Sequence, residues 1–175
     1  VSLTGGSIDA TALGYRGAPR TYGATMQARQ GESTTGEGSL SRMHFVSAGG
    51  GGEGTSEGGT AGGGGAYRTP GGHGYDPSYG LPGHGSTILY GSDELTQLFF
   101  GSSGGAGGTD DSAWNGIAFG GRGGNGGGII FIETNTITGT GSILNKGENG
   151  EDHDGVADSE QGGGGAGAGG STKLL

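Results

Sequence analysis

The chain has 175 residues, of which 51 are glycine, 4 are proline and none is cysteine. It carries 17 acidic and 8 basic residues, and its net charge of -9 gives a surface that repels phosphate backbones and anionic lipid headgroups, which argues against nucleic-acid and membrane partners. The absence of cysteine excludes a disulfide framework and a thiolate metal site, and no apolar run has the length of a membrane-spanning helix.

Large apolar residues are scarce, since Leu, Ile, Val and Phe together number 26 of 175. With a high net charge, this composition is typical of disordered chains. An ordered fold would therefore have to rest on backbone hydrogen bonds between neighbouring extended glycine-rich segments, which can approach one another closely. Collagen is excluded because there is no Gly-X-Y period. The length fits a single glycine-rich domain over residues 1–175.

The first part of the chain predicts short strands between loops. Residues 1–14 favour a first strand pair, and Gly6-Ser7-Ile8 echoes Gly141-Ser142-Ile143. Residues 15–38 have no sustained period and read as a long surface loop. Further short strands, or strand-like extensions, are expected at 44–47 and 88–90.

One short helix is predicted near residues 92–100. Ser92 suits an N-cap, and the acidic residues after it suit the first turn of a helix. Gly101 stands where a C-terminal glycine belongs. The apolar face would consist of Leu95, Leu98 and Phe99.

The strongest strand signal lies within residues 123–150. Glycines there end in Ile129-Ile130-Phe131-Ile132, and β-branched or apolar residues return at 136–138 and 142–144. A glycine run followed by a strand recurs at 124–132, at 162–175 and more weakly at 62–69. The predicted fold is mainly β, with layered polyglycine-II or β-solenoid-like segments.

The end of the chain predicts self-assembly. Residues 171–175 read as an apolar strand whose free edge favours pairing with another strand. We expect Leu174 and Leu175 to contact Val1 and Leu3, or another strand, of a neighbouring copy by strand addition.

Catalytic motifs are weak. The nucleophile-elbow pattern G-x-S-x-G surrounds both Ser56 and Ser103, but a chain with 51 glycines produces such matches by chance. Neither match is followed by the helix that the elbow requires. The four histidines lack the spacing of a zinc site. We therefore expect no enzymatic activity.

Two further groups are candidate ligand-binding residues. Asp152, Asp154, Asp158 and Glu160 could bind Ca²⁺, and the alternative is a solvated acidic loop; no other cofactor is predicted. Tyr75 and Tyr79 lie in a Gly/Pro-rich stretch typical of recognition loops, and they are candidates for contacting a glycan or a protein. The alternative is that these rings cap the edges of glycine layers.

Long pieces of the chain resemble known glycine-rich proteins. The pieces are GSIDATALGYRG, GGGGAYRTPGG, YGSDELTQLFFGSSGGAGG, GGNGGGIIFIETNTITGTGSI and GGGGAGAGGSTKLL. They resemble modules of very large secreted bacterial surface proteins, some associated with gliding motility, and are similar to the polyglycine-II tips of phage tail-fibre adhesins. The resemblance implies a self-assembling extracellular filament or surface-fibre subunit, or alternatively a phage tail-fibre or virion component. A polysaccharide-acting β-helix enzyme is a third possibility.

Overall fold

A computed structural model describes residues 1–22, 27–41, 43, 46–55, 58–75, 81–109, 119–152 and 161–175. The strands in these ranges form four separate two-stranded sheets, with no β-solenoid and no closed sheet among them. Within the same ranges the chain has no helix, and so none that could span a membrane. The prediction of short strands in a largely non-helical chain is confirmed. The strands are β1 (Ser7–Asp9), β2 (Thr21–Tyr22), β3 (Gly54–Thr55), β4 (Gly58–Gly59), β5 (Phe119–Gly120), β6 (Ile129–Ile132), β7 (Ser142–Leu144) and β8 (Ser171–Leu174).

The helix predicted near 92–100 is wrong. A turn does begin at Ser92, whose carbonyl accepts from the Leu95 N–H at 3.4 Å, but Leu95 has a φ of 47°, in the left-handed region. That conformation ends the turn. From Leu95 onward, backbone groups form hydrogen bonds with β8 and not the bonds of a helix. Lys173 Nζ donates to the Leu95 carbonyl, and the Phe99 N–H donates to Ser171.

Two other predicted strands do not form ladders. Residues 88–90 have single lateral bonds, such as that from the Tyr90 N–H to the Tyr67 carbonyl at 3.2 Å. Val46 and Ser47 lie in a bend, and the preceding His44 and Phe45 are outside the described residues.

The two longest pairings join segments that resemble each other in sequence. β1 and β7 are parallel, and their register sets Ser7 opposite Ser142 and Ile8 opposite Ile143, so the two Gly-Ser-Ile echoes lie side by side. β6 and β8 are also parallel, with Ile132 opposite Leu174. Each of these two strands follows a glycine run, and the two units therefore pair with each other within one chain.

Backbone hydrogen bonds between glycine-rich segments surround a central run, residues 101–109. Its N–H groups point in three directions in turn, so that every third residue donates to the same neighbouring segment. The first set is Gly101, Gly104 and Gly107, whose N–H groups bond the carbonyls of Gly127, Gly124 and Gly121 over 2.8–2.9 Å.

The remaining polar groups of the central run follow the same three-residue order. The N–H groups of Ser103 and Ala106 donate to segment 29–32, and those of Gly105 and Gly108 donate to segment 60–63. Carbonyls of the central run accept from segments 15–18, 49–52 and 162–168. Within the described residues, the central run is thus hydrogen-bonded to six segments. Lateral bonds between segments replace the ladder of a conventional sheet.

The surrounding segments also bond one another, which closes triangles of hydrogen bonds. Gly104 donates to Gly124 at 2.9 Å, Gly124 to Gly165 at 2.8 Å, and Gly165 back to Gly105 of the central run at 2.9 Å. Because successive partners lie tens of residues apart in sequence, these bonds hold distant parts of the chain in register.

Glycine is required where these segments meet. A Cβ built on Gly104 would lie 1.9 Å from the Gly165 carbonyl oxygen, and one on Gly165 would lie 2.0 Å from that of Gly63. The buried side chains are correspondingly small, and the largest fully buried ones are threonines and serines such as Thr60, Ser102 and Ser103. Ile130 is the one large apolar side chain that is buried among the described residues.

Candidate assembly groove and arginine-lined cavity

An open groove, lined by residues 162–170, 60–66 and 71–74, interrupts the network at its outer side. In segment 162–170, one set of N–H groups donates to the central run, and a second set, at 164, 167 and 170, donates to segment 145–151. The third set belongs to Gly163, Ala166 and Gly169, and these N–H groups have no acceptor among the described residues. Ala166 and Gly169 are exposed.

Unpaired carbonyls line the adjoining wall of the open groove. For a residue of the central run, the N–H and the carbonyl bond two segments that are adjacent to each other around the run. Gly105, for example, donates to Gly63 and accepts from Gly165. The N–H groups of Gly62 and Gly65 donate to segment 162–170 at 2.9 Å. By the same rule their carbonyls face the open groove, and in the described part of the chain neither carbonyl has a donor.

The third wall of the open groove is segment 71–74. The Gly72 carbonyl accepts from the Gly64 N–H at 2.8 Å, which fixes this segment beside 60–66. A Cβ built on Gly72 would meet nothing within 4 Å, so this wall has open space beside it. Rows of unpaired donors and acceptors therefore border this space.

The assembly residues predicted from the sequence lie together at another part of the surface. The Val1 ammonium donates to the Thr136 carbonyl at 2.7 Å, and the Leu175 N–H donates to the Ile132 carbonyl at 2.9 Å. The Leu3 N–H also bonds this stretch, through the Thr138 carbonyl. Val1, Leu174 and Leu175 are about half exposed, with 53%, 49% and 61% of their surface accessible. The residues thus meet along 132–138 of their own chain, and their pairing with a neighbouring copy stays a prediction.

Most of the predicted calcium and recognition residues fall outside the described residues. Asp152 is exposed, whereas Asp154, Asp158 and Glu160 are not described. Within the described ranges no group of three or more acidic or histidine side chains could hold a metal ion. Tyr75 is 82% exposed, and its predicted companion Tyr79 is not described.

Ser103, one centre of the G-x-S-x-G pattern, is part of the buried network. It is fully buried, and its hydroxyl accepts from the Glu32 N–H at 2.7 Å and donates to the Glu32 carbonyl at 3.0 Å. Ser103 therefore links the central run to segment 29–32, and this structural role accounts for a serine at this position. Ser56, the other centre, lies outside the described residues.

An arginine-lined cavity of about 540 Å³ was missed by the sequence reasoning. Its polar lining comes from three separated stretches of the chain, and no motif or spacing marks these residues in advance. The polar side chains that line it are Arg16, Arg29, Gln30, Glu32, Glu37, Arg122 and Asn125.

Ion pairs fix two of the three arginines of this cavity. Arg16 bonds Glu32, with an Nη2–Oε1 distance of 2.6 Å, and this hydrogen bond raises the pKa of the arginine. Arg122 bonds Glu148 and Glu151 at 3.1 and 3.2 Å. A hydrogen bond from Arg20 is the largest cause that lowers the pKa of Glu151, and Arg122 adds to it. Arg29 has no carboxylate within ion-pair distance among the described residues.

Comparison with known proteins found no match among protein-family models, curated proteins or solved structures.

Proposed function

We propose that this chain is a non-enzymatic structural or adhesive module, a self-assembling subunit of an extracellular filament or surface fibre. The open groove carries this proposal. Unpaired donors of Gly163, Ala166 and Gly169 and unpaired acceptors of Gly62 and Gly65 border the same groove. Because an exposed row of unpaired backbone N–H and C=O groups is a template for pairing with another chain, such rows favour a partner that bonds them.

The three-residue order of the bonds supports a polyglycine-II interpretation of the glycine runs. Polyproline-II-type helices have three residues per turn and no internal hydrogen bonds, so their backbone groups are free to bond laterally. The ordering entropy of glycine is large, and many lateral bonds are needed to offset it. This conformation gives a rigid module from a chain with few apolar side chains, which suits a mechanical role.

A second copy of the chain is the occupant that the open groove favours. Neighbouring segments approach so closely that a Cβ on Gly165 would lie 2.0 Å from a carbonyl oxygen, so the occupant must be rich in glycine. The exposed side of segment 162–170 offers carbonyls at 164, 167 and 170 that also lack donors among the described residues. One copy therefore supplies both the donor row and the acceptor row that another copy needs.

The direction of these bonds favours an open-ended assembly. Between the central run and each of its neighbours, all the backbone–backbone hydrogen bonds run in one direction, from the donors of one segment to the acceptors of the other. A two-fold pairing of identical rows would set donors against donors. The contact is therefore between different surfaces, and such contacts generate rings or filaments.

A proline at residue 166 tests this proposal. The ring of Ala166→Pro removes an unpaired N–H, and its fixed φ suits a polyproline-II-type segment. Ala168→Pro is the matched comparison, because the Ala168 N–H donates to the Ser102 carbonyl at 2.8 Å inside the network.

We expect the wild-type chain to form concentration-dependent oligomers in light scattering and filaments in negative-stain microscopy. Ala166→Pro should stay monomeric with an unchanged melting temperature, whereas Ala168→Pro should unfold more easily, by about 1–3 kcal/mol for the unpaired carbonyl. A wild-type chain that is monomeric at all concentrations, or an Ala166→Pro variant that assembles equally well, would contradict the proposal.

The exposure of Tyr75 favours a second role, receptor contact by a phage tail-fibre or virion component. This ring is 82% exposed beside segment 71–74, and an exposed tyrosine gives a large contact area at little entropic cost. In this role the assembled module would present Tyr75 to a cell-surface glycan or protein. Binding of the module to an array of bacterial glycans, compared with Tyr75→Ser, tests it.

A further inference from the structure

We propose that the arginine-lined cavity binds an acidic sugar, with Arg29 holding the carboxylate of a hexuronate. This inference does not depend on assembly of the chain. A volume of about 540 Å³ lies within the range of known small-molecule sites, about 300–1,000 Å³. The cavity and the open groove lie on opposite sides of the central run, since segments 15–18 and 29–32 line the cavity.

Arg29 is the one arginine that the described structure leaves without a carboxylate partner. The other described arginines, Arg16, Arg20, Arg68 and Arg122, each form an ion pair with a glutamate or aspartate. In a chain with 17 acidic and 8 basic residues, such pairing is the expected state of a guanidinium. An exposed guanidinium at a cavity can bind an external carboxylate through two parallel N–H groups.

The other cavity side chains suit hydroxyl groups. The Glu37 side chain is 84% exposed and lies 3.9 Å from Arg16, so most of its carboxylate remains available to accept hydrogen bonds. Asn125 and Gln30 add amide groups to the lining. A ligand that bonds Arg29 with a carboxylate and Glu37 with hydroxyls is a polyhydroxylated acid.

The charges around the cavity favour a singly charged ligand. Glu32 and Glu37 repel anions, and the whole chain carries a net charge of -9. A phosphate dianion would meet twice this repulsion, whereas a carboxylate brings one charge to one open guanidinium. This difference selects a uronate over a phosphorylated ligand.

An aromatic ring beside the cavity adds a surface for a sugar ring. Arg29 also lines a second cavity of about 310 Å³, together with Pro19, Arg20 and Tyr22. Tyr22 is 63% exposed, and Phe119 packs against it edge to face with ring centroids 5.0 Å apart. A fixed, exposed tyrosine presents an apolar ring beside polar groups. A sugar ring likewise combines apolar C–H groups with polar hydroxyls, so the two surfaces are complementary.

Calorimetric titration of the full chain with glucuronate, glucose and acetate tests the proposal. We expect glucuronate to bind, and glucose, which lacks the carboxylate, and acetate, which lacks the hydroxyls, to bind at least about tenfold more weakly. Arg29→Gln should weaken glucuronate binding by at least about tenfold without a change in melting temperature. Arg68→Gln, which removes a guanidinium paired with Asp93 elsewhere, is the matched control and should leave binding unchanged.

Three results would overturn the proposal. They are no heat of binding with glucuronate, equal affinity for glucose or acetate, and undiminished affinity in Arg29→Gln. The same titration on monomeric Ala166→Pro separates this test from that of assembly, because the cavity does not include the open groove. Binding by that variant would support the acidic-sugar site even if the wild-type chain forms no filaments.

Discussion

The Ser171 hydroxyl and the Phe99 backbone bond each other in both directions. The hydroxyl oxygen accepts from the Phe99 N–H at 2.8 Å, and the hydroxyl lies 2.9 Å from the Phe99 carbonyl, to which it donates. The Tyr67 hydroxyl also contacts Ser171 Oγ. Ser171 is 1% exposed, and it is the first residue of β8. One side chain thereby ties β8 to the residues just before the central run.

Ser171→Ala should destabilise the fold by about 1–3 kcal/mol, because it leaves the partly buried Phe99 N–H without an acceptor. Thermal unfolding followed by circular dichroism measures the loss. Ser142→Ala is the matched control, since Ser142 is exposed in the parallel pair β1–β7 and its loss should change stability little. Equal melting temperatures for Ser171→Ala and the wild type would show that Ser171 is not a structural link.

The same bond explains why the helix near 92–100 was predicted wrongly. Ser92 and the residues after it have the local preferences of a helix start, and these residues do form a turn. A helix would need the Phe99 N–H for itself, but Ser171, 72 residues away, takes this group. Tertiary bonding therefore overrides a local preference that amounts to only a few tenths of a kcal/mol per residue.

The strands could be predicted because their side chains form recognisable patterns. The hydrogen bonds between glycine-rich segments could not be predicted, because glycine has no side chain. β6, β7 and β8 follow from their apolar and β-branched residues, and the repeated Gly-Ser-Ile even indicates which strands pair. Nothing in a glycine run specifies that Gly104 bonds Gly124 and that Gly124 bonds Gly165. The arginine-lined cavity could not be predicted for the same reason, since the hydrogen bonds between glycine-rich segments bring Arg29 and Arg122 to one cavity.

Ala12→Gly should stabilise the fold slightly. Ala12 has a φ of 59°, and this left-handed conformation costs a residue with a Cβ about 1–2 kcal/mol. Glycine removes that cost but adds about 0.4–1 kcal/mol of unfolded-state entropy, so we expect a net gain of between about zero and 1.6 kcal/mol. Urea unfolding measures it. Ala10→Gly is the control: Ala10 is 7% exposed and not left-handed, so this variant should lose stability. A loss of similar size in both variants would contradict the strain at Ala12.

Glu151 should make the stability of the fold depend on pH in the acid range. Its carboxylate accepts from Arg20 at 2.9 Å and from Arg122 at 3.2 Å, and these bonds lower its pKa. An acid whose pKa is lowered by folding stabilises the fold above its ordinary pKa, near 4.5, and this contribution is lost as the pH falls through the lower folded value.

Urea unfolding of Glu151→Gln at pH 7 and pH 3 measures this dependence. The variant should be less stable than the wild type at pH 7, because Arg20 and Arg122 lose the negative charge of their shared carboxylate. The difference should shrink at pH 3, below the ordinary pKa near 4.5, where the stabilising contribution of the ionised carboxylate is being lost. Glu94→Gln is the matched control, since Glu94 is exposed and has no ion pair among the described residues. A difference between Glu151→Gln and wild type that is the same at both pH values would show that the ionised carboxylate does not contribute, and that residue 151 acts only through its neutral hydrogen bonds.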